Sequence, residues 1–268
     1  MSLSLTIAEL SKIIVDLCVV DNYCIFNKVY MKDINFSARR DDISQLSQYG
    51  LHFDQPWQVV DYFEQAVADF FGAPYAVATD CCTHALELCL LLTQQSSMVY
   101  VPRRTYMSVP MMLDKIKVPY CLTDQTWEQY YFIQGTNIID AATMWQANSY
   151  KAGTLTCISF QFKKHIPIGR GGMVLLDSHD DYLKLQRMVR DGRDRDRVQD
   201  KDNVVELGYH YYMTPEDAAR GIHLMRHLQD TAPRIWGSSE YRDITEMDYF
   251  KSKTLITNVP VNNFPDII

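Results

Sequence analysis

The sequence predicts an α/β fold with most of the chain in one domain. Two observations carry that prediction. Short apolar runs of strand character alternate with amphipathic stretches of helical spacing, the order that a parallel sheet with crossover helices requires. The 268 residues, 47% of them hydrophobic and 22% charged, are enough for one large domain or two small ones with a sizeable buried core.

Taken in order, residues 6–19 place Ile7, Leu10, Ile14 and Leu17 on one helical face, with Thr6 and Glu9 spaced as a capping box. Lys12 and Asp16 interrupt the apolar run, so the segment reads as an amphipathic helix and not as a signal peptide or membrane span. Val59, Val60, Phe63, Val67, Phe70 and Phe71 recur at helical spacing and Gly72 follows as a stop, which predicts a helix over 59–71. A buried strand over 75–79 comes next, then a helix over 83–92, a strand over 98–101, a helix over 109–116 and a strand over 120–122. The alternation continues with strands over 137–139, 154–160 and 173–176 and a helix over 182–189. Residues 190–203 carry charges of alternating sign and almost nothing apolar, the pattern of a solvated loop. Thr214-Pro215-Glu216-Asp217 then opens a further helix with an N-cap, a proline at the first helical position and early acids. These readings divide the chain into an N-terminal helical segment over 1–56, an α/β domain over 57–229 and a short C-terminal segment over 230–268.

The formal net charge of -7, without a dominant Lys/Arg block, argues against nucleic acid or an anionic membrane as partner. A small anion can still be held by a few oriented donors. The seven cysteines are scattered and include the adjacent pair Cys81-Cys82, which suits neither a disulfide framework nor a metal site. A reducing, cytoplasmic location is the simplest expectation.

Four segments carry candidate chemistry. Ser159-Phe160-Gln161-Phe162-Lys163-Lys164-His165-Ile166-Pro167-Ile168-Gly169-Arg170-Gly171-Gly172 starts at a strand end and finishes in glycines that lead into another strand. Asn137-Ile138-Ile139-Asp140-Ala141-Ala142-Thr143 ends a strand on an acid. Thr79-Asp80-Cys81-Cys82-Thr83-His84-Ala85-Leu86 spans a strand-to-helix turn, and Val101-Pro102-Arg103-Arg104-Thr105-Tyr106 follows a strand. Together they resemble the DegT/DnrJ/EryC1/StrS family of sugar aminotransferases over roughly residues 57–225. That family has Ser-Phe, three residues, a Schiff-base lysine, and a Gly-x-Gly-Gly whose first glycine lies five residues past the lysine. Ser159, Lys164, Gly169, Gly171 and Gly172 fit that frame, so the resemblance selects Lys164 over Lys163. His165 is one residue out of register with the histidine of dehydrating relatives, which favours an aminotransferase.

The resemblance implies the large domain of a fold-type I transferase with a reduced C-terminal region, dependent on pyridoxal 5'-phosphate. A lysine suits the anchoring role because its amine bonds the cofactor's carbonyl carbon and then moves a proton, provided that it is partly desolvated or close to other positive charge. Asp140 stands where relatives place the carboxylate that keeps the cofactor's ring nitrogen protonated. Tyr106 matches the stacking aromatic residue. Cys82, in place of the usual glycine, and Thr83 would hold the phosphate with backbone amides at a helix N-terminus, aided by the Ser159 hydroxyl. Thr143 occupies a position beside the cofactor that is His or Gln in relatives. In Gly208-Tyr209-His210-Tyr211-Tyr212-Met213, His210 matches an asparagine that reaches the neighbouring subunit's phosphate, which implies a homodimer with a shared active site; Tyr212 replaces an arginine.

The implied reaction is transfer of an amino group from an amino-acid donor, glutamate, to a keto group of a nucleotide-linked sugar. Two alternatives stay open: a binding or regulatory protein that retains the fold without turnover, and a pyridoxal-phosphate enzyme acting on a non-sugar substrate.

Overall fold

A computed structural model of the chain describes residues 41–194, 201, 203–204, 206–228 and 231–257. The helix expected over 6–19 lies outside the described residues, as does part of the charged run over 190–203. In chain order the regular elements are α1 (Asp41–Ser44), α2 (Pro56–Phe71), β1 (Tyr75–Thr79), α3 (Cys82–Leu92), β2 (Val99–Pro102), α4 (Ser108–Ile116), β3 (Tyr120–Thr123), β4 (Tyr131–Phe132) and β5 (Ile138–Asp140). They continue with β6 (Leu155–Ser159), β7 (Gly172–Leu176), α5 (His179–Met188), α6 (Pro215–Leu228) and β8 (Leu255–Ile256).

The helix ends follow their local chemistry. α2 begins with Pro56 at its first turn and a reciprocal Gln55/Gln58 capping box, and it ends where Gly72 takes φ 75°. Its buried face is the predicted stripe Val59, Val60, Phe63, Val67 and Phe71. At α5 the Ser178 hydroxyl accepts the N–H of Asp181, and before α6 Thr214 accepts that of Asp217.

Five strands form one sheet in the order β1-β7-β6-β5-β4, and β2-β3-β8 form a second, parallel sheet. The α/β class is as expected, but the central sheet is mixed and not mostly parallel. β5 and β6 pair parallel, whereas β7 runs antiparallel to both β6 and β1, and β4 antiparallel to β5. The reason lies in the connections. No helix crosses over between β6 and β7, so the loop that carries Lys164 returns the chain directly alongside the strand it left.

Each face of the central sheet has its own core. Phe63, Phe71, Trp145, Phe160 and Ile222 pack with α2 and α6 on one side; Leu86, Leu88, Leu113, Ile138 and Val174 pack with α3 and α4 on the other. Fully buried side chains of this kind contribute about 1.5–3 kcal/mol each. The C-terminal segment runs back over the β2–β3 sheet in three single turns of 3-10 helix and adds β8 at its edge. It is fastened there by an Arg103–Asp243 ion pair at 2.6 Å and by the Ile244 N–H, which donates to the Arg103 carbonyl at 3.0 Å. Among the described residues no helix is long and apolar enough to cross a membrane.

Candidate active site

The sheet, the first turn of α3, the loop before α4 and the C-terminal segment enclose a cavity of about 710 Å³. Seven of the eight site residues named from the sequence line it: Cys82, Thr83, Tyr106, Asp140, Thr143, Ser159 and Lys164. The eighth, His210, does not. It is exposed on its loop, with Nδ1 3.1 Å from Asp191 Oδ2.

Asp140 ends β5 on the cavity wall and is only 6% exposed. Its Oδ1 accepts the Ala142 N–H at 3.0 Å and its Oδ2 accepts the Tyr131 hydroxyl at 2.6 Å. Burial raises the pKa of its carboxyl, while Tyr131, Ala142 and Lys164 pull the other way. A cationic partner at this position would favour the charged form further.

Lys164 sits in the β6–β7 loop, partly buried, with Nζ 5.4 Å from the centre of the Trp236 ring. Burial lowers the pKa of its amine, against the opposing pull of Asp140 and Cys82 and with help from neighbouring Lys163. A lysine so placed has more of the neutral, nucleophilic form than one in water. The foot of the loop is fixed by the pairing of Ser159 with Gly172, and Gly171 takes φ +142°, which side chains with a Cβ rarely adopt.

The first turn of α3 faces the same space. Its N-cap, Cys81, is extended and makes no side-chain cap hydrogen bond, so no side chain of its own occupies the first-turn amides. The hydroxyls of Thr83 and Ser108, 2.7 Å apart, stand beside it. Gly172 is needed here because a Cβ on it would lie 2.4 Å from Cys82 N and 2.5 Å from Cys81 C. The missing side chain lets β7 press directly against the turn, so a cysteine at 82 does not open it. Burial pushes the Cys82 thiol well up, which keeps it neutral and unreactive. At the rim, Asp80 holds Arg170 at 2.8 Å and His84 at 2.6 Å. Burial works against the His84 charge, but the hydrogen bonds that the imidazole donates to Asp80 and Cys81 outweigh it and lift its pKa to about 9.

Thr143 donates to the Gln129 carbonyl at 2.6 Å, and Tyr106, 57% exposed, stands at the mouth. Several lining residues were not singled out in the sequence: Tyr131, Trp127, Trp236 and Tyr241. The aromatic density of 127–132 was the available signal for the first two. Nothing in the short C-terminal segment marked the others.

The sequence profile of the DegT/DnrJ/EryC1/StrS aminotransferase family matches residues 41–124 and 141–236. The chain belongs to this family. The matched blocks hold the α3 turn and the lysine loop; the skipped stretch, 125–140, contains Tyr131 and Asp140.

Solved structures similar to this DegT/DnrJ/EryC1/StrS member include AtS13 from Actinomadura melliaura, with 20% identity and a TM-score of 0.58 over 71% of this chain and 65% of that one. The sugar aminotransferase CalS13 from Micromonospora echinospora has 17% identity and a TM-score of 0.58 over the same shares of 71% and 65%. The putative sugar aminotransferase Spr1654 from Streptococcus pneumoniae, in its PMP form, has 16% identity and a TM-score of 0.55 over 70% of this chain and 63% of that one. At such identities the likeness establishes the shared fold. The chain spans about 65% of the length of the first two. No curated protein sequence matches. Pyridoxal 5'-phosphate is the cofactor of the family, and the donor set fits it: a buried carboxylate, a partly desolvated lysine, and a helix N-terminus without a side-chain cap on one cavity.

Proposed function

We propose that this chain is a pyridoxal-phosphate-dependent aminotransferase that moves an amino group from an amino-acid donor, glutamate, to a keto group of a nucleotide-linked sugar. The convergence of Lys164, Asp140 and the α3 N-terminus on one cavity carries the reading. When bound, the cofactor supplies an electron sink. Lys164 would anchor it and would hold and release a proton at Nζ. Asp140 would hold the positive charge of the ring nitrogen, and Tyr106, at the mouth, would stack on the ring. The amides of Cys82 and Thr83 and the hydroxyls of Thr83 and Ser159 bind the phosphate. Thr143 would stand beside the cofactor, and Trp236 and Tyr241 would keep water out.

In the same reading, residues 57–229 form the cofactor-binding domain, between an N-terminal helical segment over 1–56 and a short C-terminal segment over 230–268, of which residues within 236–247 reach the cavity. The family resemblance, and not the cavity, supports one further role: His210, exposed and off the cavity, would reach the phosphate of a second copy in a cytoplasmic homodimer.

The absorbance spectrum of the purified protein tests the proposal. A visible cofactor band that disappears in Lys164→Ala supports it; a colourless protein that cannot be reconstituted sinks it. A second reading, binding without turnover, draws on the pairing of His210 with Asp191. Single-turnover mixing with glutamate separates the two, because only an active enzyme loses the band.

A further inference from the structure

Tyr131 comes from the stretch that the family match skips, and its hydroxyl is the middle link of a buried chain. Thr105 Oγ1 lies 2.7 Å from Tyr131 Oη, which lies 2.6 Å from Asp140 Oδ2. The three residues are 3%, 3% and 6% exposed, so bulk water does not compete for any of these bonds. Burial and the Asp140 charge push the Tyr131 phenol well above its ordinary value. Its proton therefore stays on the phenol and is donated to the carboxylate, which leaves the phenol oxygen to accept from Thr105. A hydroxyl that accepts one hydrogen bond is a stronger donor in the next. With Oδ1 held by the Ala142 N–H, both carboxylate oxygens have a fixed partner.

Asp140 also faces Lys164 from the β6–β7 loop, Cys82 from α3, Cys157 from β6 and Tyr241 from the C-terminal segment. The two thiols and the second phenol are neutral, since burial raises all three. Two groups therefore favour the charged carboxylate from the side-chain shell: Lys164, which the proposed reaction occupies, and Tyr131, which it does not.

We propose that Tyr131 is a positioning residue that keeps Asp140 ionised and aimed at the cofactor's ring nitrogen, with Thr105 fixing the direction of its proton. The inference rests on the role given to Asp140 above.

The test titrates the Asp140 carboxyl carbon by 13C NMR in cofactor-free protein, with Asp140→Asn to assign the resonance. Tyr131→Phe removes a hydrogen bond to a charged group, so the Asp140 pKa rises by about one to two pH units, a roughly ten- to hundred-fold weaker acid. Thr105→Val gives a smaller rise in the same direction, and Tyr130→Phe gives none. In cofactor-loaded protein, the 15N shift of the ring nitrogen moves toward that of unprotonated pyridine in Tyr131→Phe. Cofactor uptake with an unshifted Asp140 titration overturns the proposal. So does a lowered unfolding temperature with neither titration moved, the signature of a purely structural tyrosine. If neither wild type nor variant takes up cofactor, the reading of the site fails first, and the role of Tyr131 falls with it.

Discussion

Glu64 offers the sharpest test of how the structure stores charge. It lies on the buried face of α2, 4% exposed, where its Oε1 accepts the Ala78 N–H at 2.7 Å and its Oε2 accepts Gln186 Nε2 at 3.2 Å. It thereby ties α2 to β1, the strand that leads into the turn before α3. Burial raises its pKa from 4.5 to about 7, and the contacts with Ala78, Arg190 and Gln186 only partly offset that. An acid whose folded pKa exceeds its unfolded value stabilises the fold fully below the unfolded pKa, and that contribution is lost as pH rises through the folded one. A gap of about 2.5 pH units, at roughly 1.4 kcal/mol each, makes Glu64 cost the fold about 3 kcal/mol at pH 8 relative to pH 4.5. Glu64→Gln keeps an acceptor for Ala78 and removes the titration. The assay is urea unfolding of both proteins at several pH values from 4.5 to 8. The stability of the variant relative to wild type should climb with pH, by about 3 kcal/mol across the range. Because other ionisable groups cancel in the comparison, a constant difference between the two proteins would refute the reasoning.

Two further predictions concern the walls of the cavity. Gly172→Ala puts a Cβ 2.4 Å from backbone of the α3 turn, so it should destabilise the fold toward the upper end of about 1–3 kcal/mol. It should also weaken pyridoxal phosphate binding more than pyridoxal binding, as dissociation constants of the two would show. Asp243→Ala breaks the ion pair with Arg103 and the cap on the Thr245 N–H, for about 1–2 kcal/mol. Limited proteolysis should then cut within 231–257 well before the central sheet, whereas unchanged cleavage would mean that the ion pair does not hold the segment.

Much of the fold was legible because burial repeats with a period. The stripe of α2 and the buried runs of β1, β6 and β7 declared themselves within a few residues of their observed ends. Strand direction was not legible, since β7 reads the same whichever way it runs; the absence of a helical pattern between Ser159 and Gly172 was the clue to its reversal. β4 and β8, two residues each, are too short to show any period. At the site, residues at strand ends and beside glycines were found because their motifs resemble the family's, and seven of them share the cavity. Tyr131, Trp236 and Tyr241 escaped because they reach it by tertiary packing from stretches without motif or periodicity.

The fastening of Ile244 to Arg103 joins residues 141 positions apart. During synthesis from the N-terminus, the lysine loop and most of both sheet cores emerge first, and the C-terminal segment follows with Ile244 and Phe250 of the second core and the last wall of the cavity. Closing so long a loop is slow relative to local helix and hairpin formation. The wall that Trp236 and Tyr241 give the cavity therefore depends on a long-range contact that local structure alone does not form.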